Sequence, residues 1–170
     1  MRDRPARDTR SDILATAREL FTQHGYQRTS LREIAAGLGL TKTAVLYHFP
    51  TKQDILVALT QPLLDDLDTT LSTVEHGWAA VEGVLDCLLA HRQVLALSQD
   101  PVSDRLTTAL ARARGLVAGL APDLGTQVRA TQAVAMLADP VLLLADAPTD
   151  ALRTAILSGV RRLLAPTTMG

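Results

Sequence analysis

Lysine, cysteine and aromatic residues are all scarce in this chain, and each shortage closes off a class of protein. Cys87 stands alone, so no internal disulfide can form, and the chain is expected in a reducing cytoplasm rather than on a secreted scaffold. Flanked by Leu85, Asp86, Leu88 and Leu89, it reads as a buried, inert thiol. Aromatics make up 3% of residues while 47% are hydrophobic, so aliphatic side chains and alanine must fill the interior. That mix suits packed helices better than sheets, which favour β-branched and aromatic residues. There is no apolar run of about eighteen residues, so no membrane span is expected. The opening MRDRPARDTR lacks the apolar stretch of a signal peptide. Catalytic signatures are missing as well: no G-x-S-x-G, no glycine-rich phosphate loop before a strand, no H-E-x-x-H. His24, His48, His76 and His91 are scattered without a third donor on a shared face, so neither a metal nor another cofactor is expected. His91, beside Arg92, reads as a positive group at a helix C-terminus rather than a general base.

What is present is concentrated between Thr29 and Lys52. Ser30-Leu31-Arg32-Glu33 has the form of a capping box, a hydroxyl for the third helical N–H and a carboxylate reaching back. Leu31, Ile34, Ala35 and Leu38 follow at the spacing of one apolar helical face. Gly37 and Gly39 then supply an exit through a left-handed turn. Thr41 caps a second short helix, Lys42 to His48, which Pro50 ends. Two short helices around a glycine-bearing turn form a helix-turn-helix, whose second helix is built to enter a DNA major groove. An ordinary helical hairpin has the same spacing, so the chemistry decides between them. Lys42, Thr43, Ala44, Tyr47 and His48 offer donors and small groups to phosphates and base edges. Both lysines of the chain lie in this stretch, Lys42 at the start of the second helix and Lys52 just past Pro50.

Charge is distributed to match. The formal net charge is −1, yet residues 1–60 hold nine Lys/Arg against six Asp/Glu, and the remainder eight against twelve. A basic head on an acidic body directs positive potential at a polyanion. A helix preceding the motif is expected from Thr9 to His24, with Ile13, Leu14, Ala17, Leu20 and Phe21 as one stripe and Gly25 at its end. Before it, residues 1–8 read as a flexible arm carrying Arg2, Arg4 and Arg7. After the motif, Thr51 caps a connecting helix over 51–74, with Lys52 in its first turn. A cation there opposes the helix dipole unless an anion lies close, which hints at a phosphate. Pro62 inside this helix predicts a kink near Leu59 rather than a stop, because the leucine periodicity continues. Five further helices are expected at 75–91, 93–99, 102–120, 124–146 and 149–164, separated near Gly77, Asp100-Pro101, Pro122 and Pro148.

The run from Ile13 to Leu59 resembles the N-terminal DNA-binding domain of the TetR family of bacterial transcription regulators. The marks A-x-x-L-F-x-x-x-G-Y, T-S-x-x-x-I-A, G-L and Y-x-F-x-x-K all lie within it. It covers a little over a quarter of the chain. One departure is Leu46, which stands before Tyr47 where the family commonly has the first ring of an aromatic pair. The resemblance implies an all-α fold: an N-terminal three-helix helix-turn-helix DNA-binding domain over 1–50, then a helical effector-binding and dimerisation domain over 51–170. By resemblance and position, Lys42, Thr43 and Ala44 face base edges and Arg32 reaches a base or phosphate. Ser30, Thr41, Tyr47, His48 and Lys52 fix the register on phosphates.

The resemblance also implies a homodimer on a double-stranded DNA operator, with no membrane role and with a small-molecule effector bound among the body helices. Family members typically pair their last two helices about a two-fold axis. The apolar stripes of those segments are therefore the expected interface, with a simple intrachain core as the alternative: Leu137, Val141, Leu144, Leu152, Ile156, Gly159, Val160 and Leu163. Trp78, Leu85, Cys87, Leu106, Leu110 and Met136 are the expected effector lining, although such residues equally fill a solid core. Gln132, Asp139 and Asp146, seven apart, form a polar stripe read as solvated or interfacial. The expected function is a repressor released from a near-palindromic site by a ligand. The alternative is a ligand-independent DNA-binding or architectural protein whose body only dimerises.

Overall fold

Local chemistry sets the first four helices. A computed structural model describes residues 8–97, 100–144 and 146–165, so the arginines of the expected arm, Arg2, Arg4 and Arg7, lie outside the described residues. Asp8, the last residue of that arm, caps α1 (Thr9–His24): its carboxylate accepts from the Arg10 amide at 3.1 Å and the Ser11 hydroxyl at 2.7 Å. Gly25, at φ 84°, ends the helix. The expected capping box opens α2 (Leu31–Gly37): Glu33 N–H donates to the Ser30 hydroxyl at 3.2 Å, and the Ser30 amide donates to the Glu33 carboxylate at 2.7 Å. Gly39, at φ 65°, turns the chain, and the Leu40 amide closes the turn on the Ala35 carbonyl at 2.9 Å. Thr41 caps α3 (Lys42–His48), and Phe49 follows it in extended geometry with its ring buried. A second capping box, Thr51 with Asp54, opens α4 (Lys52–Thr73), which runs through Pro62 without stopping.

The body adds α5 (Trp78–Ala90), α6 (Arg92–Leu95), α7 (Asp100–Ala118), α8 (Leu124–Leu143) and α9 (Thr149–Leu164). All nine elements among the described residues are helices. Helix α5 is central, packing against α4, α7, α8 and α9. Polar contacts tie it to its neighbours. Arg153 of α9 forks onto Asp86 at 2.6 and 3.0 Å, and His91, at the α5 C-terminus, meets Asp66 of α4 at 2.7 Å. His91 thus occupies the helix end read from the sequence, but its imidazole serves an interhelical contact. Arg112 of α7 pairs with Asp68 of α4. Exposed pairs of this kind contribute about 0–1 kcal/mol each, so aliphatic burial holds the fold.

That burial falls into two clusters, and α4 belongs to both. The head interior gathers Ile13, Phe21, Ile34, Val45 and Phe49 around Ile55, Leu56 and Leu64 of α4. The body interior gathers Leu85, Leu88, Val134 and Leu137 around Leu63, Leu67 and Leu71 of the same helix. A boundary at residue 50 therefore falls inside the head's packing, not beside it.

The last two helices depart from expectation in which way they face. Leu137, Val141, Leu152, Ile156 and Val160 are buried in the chain's own interior, so they have no surface left to offer a second copy. Leu163 is half-buried against the same core. Gly159 does admit a close helix, but that helix is α8 of the same chain: a Cβ there would lie 2.9 Å from Met136 Cε. Of the eight expected interface residues only Leu144, 53% exposed, sits in the open, just past the end of α8. Apolar stripes report which residues share a face, and here the shared face is internal. The outward face carries Val128 and Ala135 on α8 and Ala151 and Ala155 on α9, beside Gln132 and Asp139, which are exposed as expected.

Candidate nucleic-acid interface

Helix α3 is held to the protein by one side. Val45 is fully buried, and Ala44, Leu46 and His48 are partly covered. Thr43 and Tyr47, four residues apart and hence one above the other, point away from Val45 into solvent. Tyr47 is 86% exposed, an unusual position for one of five aromatic side chains in the sequence. Its ring packs edge-on against His48, with centroids 5.3 Å apart. Lys42 is exposed in the first turn, and Arg32 is exposed on α2. Thr41 accepts the Ala44 amide at 3.1 Å while its own hydroxyl hydrogen can donate outward. These residues form one surface of donors and small groups presented by a short, externally mounted helix.

Two expected contacts are redirected by hydrogen bonding. The Ser30 hydroxyl donates to the Glu33 carboxylate at 2.7 Å while accepting that residue's amide, so it has no hydrogen left for a phosphate. The same hydroxyl and the Ser30 amide hold the Glu33 carboxyl below the usual carboxylate range, which keeps this acid anionic and engaged at the helix end. Lys52 is redirected more completely. Its ammonium donates to the carbonyls of Tyr26 at 2.7 Å, Gln27 at 3.3 Å and Thr29 at 2.8 Å, and sits 4.3 Å from the Tyr26 ring centroid. The conflict with the helix dipole is relieved by internal carbonyls rather than by an external anion. Arg28, exposed in the turn before α2, joins the basic surface although nothing in the helical periodicity singles it out. Arg10 is also basic and exposed at the head, with its guanidinium 4.9 Å from the Phe49 ring centroid.

The six residues expected to line an effector site are packing residues instead. Leu85 and Cys87 are buried in the body core, and Trp78, Leu106, Leu110 and Met136 close its edges. Trp78 is further covered by the Arg161 guanidinium at 4.7 Å. Burial, with a smaller push from Asp66, raises the Cys87 thiol to about 11, in keeping with an inert role. Clefts lie elsewhere. One of about 650 Å³ separates head from body, between Arg18 and Thr22 of α1, Arg92 of α6, and Asp146. Another, of about 230 Å³, runs between α4 and α7 past Asp68, Arg105 and Arg112. Among the described residues no three His, Cys, Asp or Glu side chains are grouped to hold a metal, and no helix is long and apolar enough to cross a membrane.

Comparison with known proteins agrees with this geometry. Residues 13–59 match the family described as bacterial regulatory proteins, tetR family. The chain is 30% identical to the HTH-type transcriptional regulator Mb3439c of Mycobacterium bovis, across 98% of this chain and 100% of that one. It is 31% identical over 106 residues to the HTH-type transcriptional regulator RutR of Escherichia coli K12, covering 62% of this chain. That match spans about half of RutR, 49% of its length. Among solved structures, a transcriptional regulator from Aquifex aeolicus superposes with a TM-score of 0.75 at 18% identity, covering 92% of this chain and 99% of that one. PfmR from Thermus thermophilus, a TetR family regulator, gives 0.67 at 22% identity, covering 91% and 99%. At those identities the structural likeness speaks to the fold.

Proposed function

Because the chain belongs to the tetR family of bacterial regulatory proteins, we propose that it is a transcriptional repressor that binds a near-palindromic DNA operator as a homodimer. The observation that carries this reading is α3 itself, anchored on the side of Val45 and turning Lys42, Thr43 and Tyr47 to solvent. In the proposed complex Lys42, Thr43 and Ala44 face base edges in the major groove. Arg32, Thr41, Tyr47 and His48 set the register on phosphates. A two-fold dimer must then hold its two α3 helices about 34–36 Å apart, or a multiple of that, to meet successive grooves.

The dimer contact proposed here uses the outward faces of the last two helices. Leu124, Val128, Ala135 and Leu142 fall on one exposed side of α8, with Ala151 and Ala155 on α9. Support comes from Leu124, which is 76% exposed, an uncovered leucine at the head of an uncovered stripe. Effector release needs a coupling of about 1–3 kcal/mol between ligand and DNA. The head–body cleft between α1 and α6 is the place where a bound molecule would bear on both parts. The packed state of Leu85, Cys87 and Met136 favours a second reading, a regulator without an effector whose body only dimerises.

Selection from a randomised duplex library by the purified protein is the test. Enrichment of an inverted repeat is expected, and no enrichment at low ionic strength would remove the reading. Ala135→Arg should give monomers with weak operator binding. Full dimerisation in that variant would place the contact elsewhere. A metabolite panel that shifts neither operator affinity nor melting temperature would select the effector-free reading.

A further inference from the structure

We propose that Lys52 is a positioning residue, spent inside the protein to lock the turn feeding α2 and α3 onto the start of α4; this rests on the DNA-binding reading above. An ammonium has three N–H donors and accepts nothing. Here the three carbonyls of Tyr26, Gln27 and Thr29 converge on it from one turn, and the Tyr26 ring covers it. That turn is itself fixed to the head. Thr29 is buried and its hydroxyl donates to the Gly25 carbonyl at 2.9 Å. Tyr26 stacks edge-on with Phe21 of α1 at 5.1 Å.

The residue after Thr29 is Ser30, the cap of α2, and α2 leads through the Gly39 turn into α3. Lys52 therefore ties the first turn of α4 to the backbone that aims the reading helix. Since α4 also reaches the body interior, a displacement of α4 carries the reading helix with it as one piece instead of bending the head. Arginine is no substitute, because a planar fork cannot aim three donors at carbonyls gathered around one point.

The sequence contains two lysines, so amine labelling reads the proposal directly. Full-length protein is treated with limiting acetic anhydride, and acetylation at Lys42 and Lys52 is quantified by mass spectrometry. In free protein Lys52 should react about tenfold more slowly than exposed Lys42, the factor that ~1.4 kcal/mol of held hydrogen bonds corresponds to. Adding the library-selected duplex should shield Lys42 and leave Lys52 as it was. Equal labelling of the two in free protein, or protection of Lys52 only when duplex is added, would overturn the proposal in favour of a phosphate contact.

Affinity separates the roles a second time, at a temperature where circular dichroism shows each variant folded. Lys52→Met and Lys52→Arg should both lose about tenfold in affinity for the selected duplex, as expected for a lost charged hydrogen-bond set. Binding to unrelated duplex should be retained, with the wild-type salt slope. Wild-type affinity in Lys52→Arg, or a slope shallower by about 1.8 in Lys52→Met (one phosphate for each protomer of the dimer), marks a phosphate ligand instead. An unchanged ratio of selected to unrelated affinity in both variants marks a purely stabilising role. Wild-type protein that selects no duplex would count against the functional reading, while the labelling of free protein still decides the clamp.

Discussion

Tyr47→Ala should separate binding from folding more sharply than any other single change. The ring is 86% exposed and lies edge-on to the neighbouring His48, so its removal opens no cavity. Stability should stay within about 0.5 kcal/mol of wild type, as for surface positions generally. On DNA, loss of its proposed hydrogen bond to a phosphate should cost about 1.5–3 kcal/mol, or roughly 10- to 150-fold in affinity. Val45→Ala, two residues earlier in the same short helix, provides the control. Val45 is fully buried, and deleting two methyl-sized groups at ~0.8 kcal/mol each, plus a cavity term, should destabilise by about 2 kcal/mol. The assay pairs urea unfolding followed by circular dichroism with anisotropy of a labelled, selected duplex at two salt concentrations. Tyrosine is neutral, so the salt slope should match wild type, and Tyr47→Phe distinguishes the hydroxyl from the ring. A Tyr47→Ala protein that binds as tightly as wild type, or unfolds as early as Val45→Ala, would refute the reasoning.

Further changes test the scaffold. Gly159→Ala should be near neutral in urea, because the Met136 methyl it meets at 2.9 Å is a flexible end and the helix gains about 1 kcal/mol of propensity. Gly159→Val should lose about 2 kcal/mol by forcing α8 from α9, and a fully stable valine variant would deny the close contact. Cys87 should resist Ellman's reagent at pH 8 until denaturant is added, and rapid native labelling would contradict its burial. Its folded value of about 11 lies above the unfolded 9.0, so its contribution is complete below pH 9 and is lost as pH climbs through about 11. Wild type should therefore lose more stability between pH 8 and pH 11 than Cys87→Ala does, and parallel losses would count against it. Ser30→Ala should cost about 1 kcal/mol through loss of the α2 cap. The depressed Glu33 carboxyl stabilises above the ordinary carboxylate range, and that stabilisation fades on acidification. Glu33→Gln should accordingly flatten the acid limb of the melting curve, and an unchanged limb would exclude this source.

The parts of the fold set by nearby residues were readable in the sequence. Ser30, Thr41 and Thr51 cap helices through groups three positions away, and Gly25 and Pro50 stop them, so α1 ends and α3 starts and ends where the residues say, while Asp8, read as part of the arm, proves to be the cap of α1. The presented face of α3 follows from the same short-range logic. Lys52 shows the limit. Its mismatch with the dipole was visible, but its remedy comes from carbonyls 23 to 26 residues upstream, which no periodicity announces. The body shows a second limit. Leu137, Val141, Ile156 and Val160 are strung at helical spacing whether the face they form meets their own chain or a copy. The packing of α5 and α7 beneath them decides, and the same packing turned Leu85 and Cys87 from pocket walls into filling.

Leu63 and Leu64 are consecutive, yet the first plugs the body interior and the second plugs the head. Anyone trimming the protein to a minimal reading fragment must therefore carry the chain at least through Leu64. A scissor placed at residue 50 would strip Ile55, Leu56 and Leu64 from beneath Ile34 and Val45, and the excised piece would have nothing to close its underside.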